Sequence, residues 1–156
     1  MQVKPWWISM VFPDGKFPQR ARDGSGVGVS DVVKAVLAES SPVPHALGIN
    51  CTSIEHIPAL VLEMNEVVKG TCSALDDKDG RRPWLVVYPN GGDVYDPVTQ
   101  TWKVANGDEE TKAEAWSREV GAIVSTAGAW GGFILGGCCR TTFSHIQALS
   151  KIVKSV

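Results

Sequence analysis

The chain has 156 residues, 44% hydrophobic and 21% charged, with a net charge of −2. That suits one globular domain with a core of moderate size and is far from a disordered composition. No basic stripe or tail is present, which argues against nucleic acid as the main partner. No apolar run approaches the ~20 residues of a membrane span, and MQVKPWWISMVF lacks the apolar region and cleavage site of a secretory leader. The expected setting is the cytosol. There, four cysteines, two of them adjacent, point to metal or catalysis more than to a disulfide framework.

Trp6–Phe12, rich in aromatic and β-branched residues, predicts a strand. A loop with Gly, Pro and Arg follows. Ser30 is the expected N-cap of a helix whose apolar face is Val29, Val32, Val33, Val36 and Leu37, ended by Pro42 and Pro44. Ala46–Asn50 predicts a short strand ending at Cys51, and Leu60, Val61, Met64, Val67 and Val68 mark a helix opening at Pro58. Trp84–Tyr88 is a continuous apolar run, the pattern of a strand covered on both faces. After a long loop, the charged run Asp108–Lys112 reads as the solvated start of a helix with the stripe Ala113, Trp116, Val120, Ile123, Val124 and Ala127. Gly132–Leu135 is the last strand. The closing helix carries Ile146, Leu149, Ile152 and Val153, with Ser144 and Gln147 as its expected capping box.

The order β-α-β-α-β-α-β-α predicts an α/β fold, a parallel sheet with helices packed on it. Sites in such folds form at the carboxyl ends of strands. Three polar clusters fall there: Gly48–Thr52, Tyr88–Gly92 and Gly136–Thr141. The same rim would gather Cys51 with Cys138 and Cys139. Three thiolates suit a catalytic zinc, which keeps a fourth position open. On a regular strand, adjacent residues face opposite ways, and Gly136 and Gly137 are expected to supply the unusual backbone that lets both sulfurs converge. The competing reading is that the cysteines are small buried hydrophobes, and for Cys72, away from the rim, that reading prevails. Asn50 would hydrogen-bond a ligand or substrate, or serve as a turn residue. Tyr88 and Asn90 would line the rim. Arg140 would neutralise thiolates, bind a carboxylate, or pair at the surface. His145 reads as a first-turn helix residue, and His45 and His56 show no metal spacing.

GINCTS, LVVYPNGGDVYD with Trp102 shortly after, and GGCCRTTFSHI resemble, in that order, the C-terminal half of the homocysteine S-methyltransferases of the type using S-methylmethionine or S-adenosylmethionine. The resemblance covers nearly the whole chain. It implies four βα units forming the C-terminal half of a (β/α)8 TIM barrel, with residues 1–156 as the C-terminal half of a homocysteine-binding domain and the N-terminal half absent. It also implies Zn2+ held by Cys51, Cys138 and Cys139, and methyl transfer from a sulfonium donor to homocysteine, giving methionine. The missing half, with its Asp-Gly-Gly motif, would be a partner, unless the chain forms a homo-oligomer. Two local departures are Phe143, where relatives often have Pro, and Gly91, where they often have Ser, expected only to loosen a turn. Two other readings remain: a non-catalytic zinc- or thiol-binding half-barrel, and a doubly wound nucleotide-binding fold using Asp23–Gly28, which lacks the strand-to-helix context such a loop needs.

Overall fold

A computed structural model describes residues 4–38, 40–75 and 82–154. Four strands, β1 (Trp7–Met10), β2 (Ala46–Asn50), β3 (Trp84–Tyr88) and β6 (Phe133–Leu135), form one parallel sheet. Their order is the chain order, β1-β2-β3-β6. Helices α1 (Val29–Val36), α2 (Ile57–Leu75), α3 (Glu109–Thr126) and α4 (Phe143–Val153) alternate with them. Because the order never reverses, the sheet has no switch-point crevice of the kind that binds nucleotides in doubly wound folds. Asp23–Gly28 instead forms an exposed loop closed by an Arg20–Gly26 bridge.

The period-two rule sorts the strand residues into two sets. Ile8, Met10, Leu47, Ile49, Leu85, Val87, Phe133 and Leu135 pack with Val33, Leu37, Val61, Met64, Val68 and Ile123 of the helices and the chain beside them. The opposite face carries Trp7, Ser9, Gly48, Asn50, Trp84, Val86 and Ile134. There Trp7, Trp84 and Ile134 are 56%, 47% and 42% exposed, so this face is apolar and open. The expectation that β3 is covered on both faces is thus corrected at Trp84, although Val86 is buried.

Strands β2 and β3 have the predicted limits, but three local expectations are corrected. Ser30 does not cap α1: Gly28 is the N-cap, and Asp31 reaches back to accept its N–H at 3.1 Å. The helix ends at Val36, six residues before Pro42, its C-cap Leu37 leaving helical geometry. Ser144 does not cap α4 either. Thr142 holds the extended N-cap conformation, its N–H and hydroxyl meet His145 Nδ1 at 3.2 and 2.9 Å, and Ser144 Oγ donates to Glu109 at the start of α3. His145 is, as expected, a first-turn residue. Asp108 does cap α3, accepting the Thr111 N–H at 2.9 Å. The long loop before α3 contains a hairpin not anticipated, β4 (Val94–Asp96) paired antiparallel with β5 (Thr101–Lys103) and closed by Tyr95 against Trp102. Cys72 lies near the end of α2, and the loop from Asp76 to Gly80 falls outside the described residues.

Gly48 stands opposite Val86 in the β2–β3 register, and a Cβ built on it would run into the Val86 carbonyl. Gly48→Ala is therefore expected to cost about 3 kcal/mol, the upper end of ordinary overpacking, read as a lowered urea midpoint.

Candidate metal centre

The segment leaving β3 organises the rim. Cys51 follows β2 in the left-handed region, φ 48°, and donates its N–H to the Tyr88 carbonyl at 3.2 Å. Asn90 returns the contact, its N–H going to the Thr52 carbonyl at 3.0 Å and its Nδ2 to the Cys51 carbonyl at 3.3 Å. On the other side, Cys138 donates to the Pro89 carbonyl and Gly91 donates to the Cys139 carbonyl, both at 2.8 Å. One strand exit thus holds both cysteine loops. Trp116 fixes that exit from α3 by donating Nε1–H to the Asn90 carbonyl at 2.9 Å.

The three sulfurs lie within 4.8 Å of one another, with Cys51 and Cys138 half-buried and Cys139 exposed. Sulfurs on a tetrahedral zinc at Zn–S of ~2.3 Å stand roughly 3.8 Å apart, and Cys138 Sγ and Cys139 Sγ are 3.9 Å apart. Cys51 and Cys138 stand with Cα–Cα 5.5 Å, a separation that a disulfide can span. Crowding sulfurs closely enough to share an ion also brings two of them within bonding reach. A disulfide sulfur carries no thiolate charge, so the cluster can hold a metal with three thiolates only when this pair is reduced.

The convergence does not arise as the glycines suggested. Neither Gly136 nor Gly137 has a positive φ; the positive-φ residues at the rim are Cys51, Gly92, φ 95°, and Arg140, φ 64°. Gly137 is needed for space, since a Cβ on it would collide with the Thr141 side chain. Thr141 in turn donates both N–H and Oγ1–H to the Cys138 carbonyl. Gly91 likewise permits close approach: a Cβ there would meet the Arg140 carbonyl carbon at 2.6 Å and the Thr141 nitrogen at 2.9 Å. It does more than loosen a turn.

Asn50 ends β2 on the open face, its Oδ1 accepting from Ser9 Oγ at 2.8 Å. Tyr88 is half-buried beside it in the next strand. Arg140 pairs with a protein carboxylate, Nε to Asp93 Oδ2 at 2.9 Å, and Asp93 Oδ1 accepts the Ala105 N–H at 3.0 Å. Burial opposes ionisation of Asp93, but Ala105 and Arg140, with Lys112 more distantly, outweigh it and hold the carboxyl below its ordinary value. A carboxyl lowered in this way contributes stability above the unfolded carboxylate range and loses it as pH falls through the folded value. Neither His45 nor His56 joins the sulfur cluster. Asp93 was not singled out from sequence; the signal was its place in NGGDVYD, but nothing there names a partner 47 residues away.

These features define a parallel α/β protein with a metal-competent cysteine cluster on its strand-end rim. The chain belongs to the homocysteine S-methyltransferase family, whose sequence model matches residues 1–153. It is 32% identical over 152 residues to homocysteine S-methyltransferase 3 of Arabidopsis thaliana, covering 96% of this chain and 35% of that protein. Homocysteine S-methyltransferase YbgG of Bacillus subtilis is 36% identical over 111 residues, 71% of this chain and 28% of the relative. Selenocysteine Se-methyltransferase of Brassica oleracea var. italica is 35% identical over 143 residues, 88% and 34%. The chain therefore spans about a third of the length of the curated relatives it matches. No solved structure matches it significantly. Among the described residues no helix is long and apolar enough to cross a membrane.

Thr52 ties the rim to the segment after β1: its buried Oγ1 accepts the Phe12 N–H and donates to the Asn50 carbonyl, each at 3.0 Å. Thr52→Val strands the Phe12 N–H in a buried site. The expected cost is about 1–3 kcal/mol in chemical denaturation, the penalty for an unmade buried hydrogen bond.

Proposed function

We propose that this chain is the homocysteine-binding, metal-carrying C-terminal half of a (β/α)8 methyltransferase barrel, working in a reducing, cytosolic setting. It would transfer a methyl group from S-methylmethionine or S-adenosylmethionine to homocysteine, giving methionine. The observation that carries this reading is the gathering of Cys51, Cys138 and Cys139 within 4.8 Å at one sheet rim. In their reduced form these residues would hold Zn2+. When bound, the metal supplies ionisation of the homocysteine thiol, whose pKa is roughly 8.5 in water like that of cysteine.

The remaining work falls to the chain. Three thiolates make the centre electron-rich, which keeps a substrate sulfur nucleophilic and favours a cationic sulfonium donor. Asn50 stands next to Cys51 on the open face; with Oδ1 engaged by Ser9, its Nδ2 group is left to donate to the substrate carboxylate. Asn90 acts differently, bracing the Cys51 loop. The in-order parallel sheet with helices on one side and an apolar face on the other supports the half-barrel reading, because a closed barrel fills that face with side chains. Trp7, Trp84 and Ile134 would then lie against a complementary half.

The test is metal content and methionine formation under reducing conditions. About one zinc per chain is expected in the wild type and none in Cys139→Ala. Turnover should fall by about 100-fold or more, beyond the scale set by losing a metal site's outer partners. Zinc binding without methionine formation, even with a complementary half supplied, would favour a role in association alone. Equal zinc in wild type and Cys139→Ala would remove the ligand assignment.

A further inference from the structure

Cys139 is the exposed member of the sulfur cluster, and the residue after it, Arg140, takes the left-handed conformation. A residue with a Cβ does not hold that conformation without support. The Thr141 N–H to Cys138 carbonyl bond closes the turn across it, and further support is visible at the other end of the side chain. Arg140 is 47% exposed, yet its Nε donates at 2.9 Å to an Asp93 carboxylate that is only 9% exposed. Asp93 is itself tied to the backbone, since Oδ1 takes the Ala105 N–H just beyond β5. A buried carboxylate tied to backbone is a rigid anchor, whereas Arg140 alone is a long, mobile side chain.

We infer that Asp93 is a positioning residue for the metal centre, acting through Arg140 to hold the Cys138–Cys139 turn so that Cys139 Sγ faces its two companions. The inference rests on the metal reading above and adds to it a residue that touches no sulfur. The backbone bonds from Cys138 to Pro89 and from Gly91 to Cys139 fix where the turn sits. The Thr141 bonds to the Cys138 carbonyl close the turn across Arg140, and the Asp93–Arg140 pair adds a side-chain anchor to the torsion immediately after Cys139. The hairpin β4–β5 gains a purpose too, since it closes the loop that brings Ala105 back to Asp93.

The experiment measures zinc affinity of the reduced protein by competition with a chromophoric chelator, and the thiolate-to-cobalt absorption of the Co2+ form. The variants are Asp93→Asn, Asp93→Glu, Arg140→Ala and the double variant Asp93→Asn/Arg140→Ala. Asp93→Asn is expected to weaken zinc binding by about 10–100-fold, the usual effect of removing a residue that orients a ligand. It should also reduce the cobalt band, with circular dichroism unchanged. Asp93→Glu should restore most of both. Arg140→Ala should match Asp93→Asn, and the double variant should be no worse than either single one. Wild-type affinity and absorption in Asp93→Asn would overturn the inference, as would additive losses in the double variant. If Asp93→Asn does not fold, Arg140→Ala decides alone: unchanged affinity overturns the inference and a 10–100-fold loss upholds it. A wild type that binds no zinc when reduced sinks the metal reading itself, and this inference with it.

Discussion

The rim depends on the backbone between Tyr88 and Gly91. This stretch stands between the two cysteine-bearing loops, and it hydrogen-bonds both. Its carbonyls at Tyr88 and Pro89 receive Cys51 and Cys138, and its N–H groups at Asn90 and Gly91 go to Thr52 and Cys139. The sulfurs meet because a third strand measures the gap between the other two. The sequence Tyr-Pro-Asn-Gly makes sense in those terms. Pro89 offers only a carbonyl, Asn90 supplies an extra donor for Cys51, and Gly91 leaves room for the Arg140 backbone.

That arrangement separates residues that define the chemistry from residues that define the shape. Among the described residues, three side chains gather their sulfurs at the rim. Around them, Thr52, Thr141, Trp116, Asp93 and the Asn90 amide nitrogen direct their polar atoms to carbonyls, N–H groups and one guanidinium. A cluster of like-charged thiolates repels itself when empty, and these contacts hold its loops in place against that repulsion. The polar core elsewhere follows the same economy. Trp130 donates to Asn65 Oδ1, and Asn65 Nδ2 reaches the Thr126 carbonyl, locking α2 to the end of α3 without a buried charge.

Much of this was legible from sequence wherever a periodicity or a strand end carried the message. Ala46–Asn50 and Trp84–Tyr88 are short apolar runs bounded by Gly, Pro, Asn or Cys, and they became strands with those limits. Cys51, Cys138 and Cys139 were brought together by reasoning about one shared rim, and the structure places them there. The caps were harder. Ser30 and Ser144 each sit within two residues of the true N-cap, and only the backbone torsions of Gly28 and Thr142 decide which residue leaves the extended region. The hairpin escaped because three-residue strands give too short an alternation to read. The roles of Gly91 and Gly137 are invisible in one dimension, since each depends on a neighbour across a turn. A Cys51–Cys138 disulfide and the metal cluster call for the same approach of sulfurs, and residue spacing alone does not separate the two.

The open side of the sheet has a practical consequence. Of the chain's six tryptophans, Trp7 and Trp84 stand on that side in water, while Trp116 and Trp130 are buried and hydrogen-bonded. The molecule thus carries its own optical gauge. Anything that seals the sheet dries two indoles and shifts their emission to the blue, against the background of the other four.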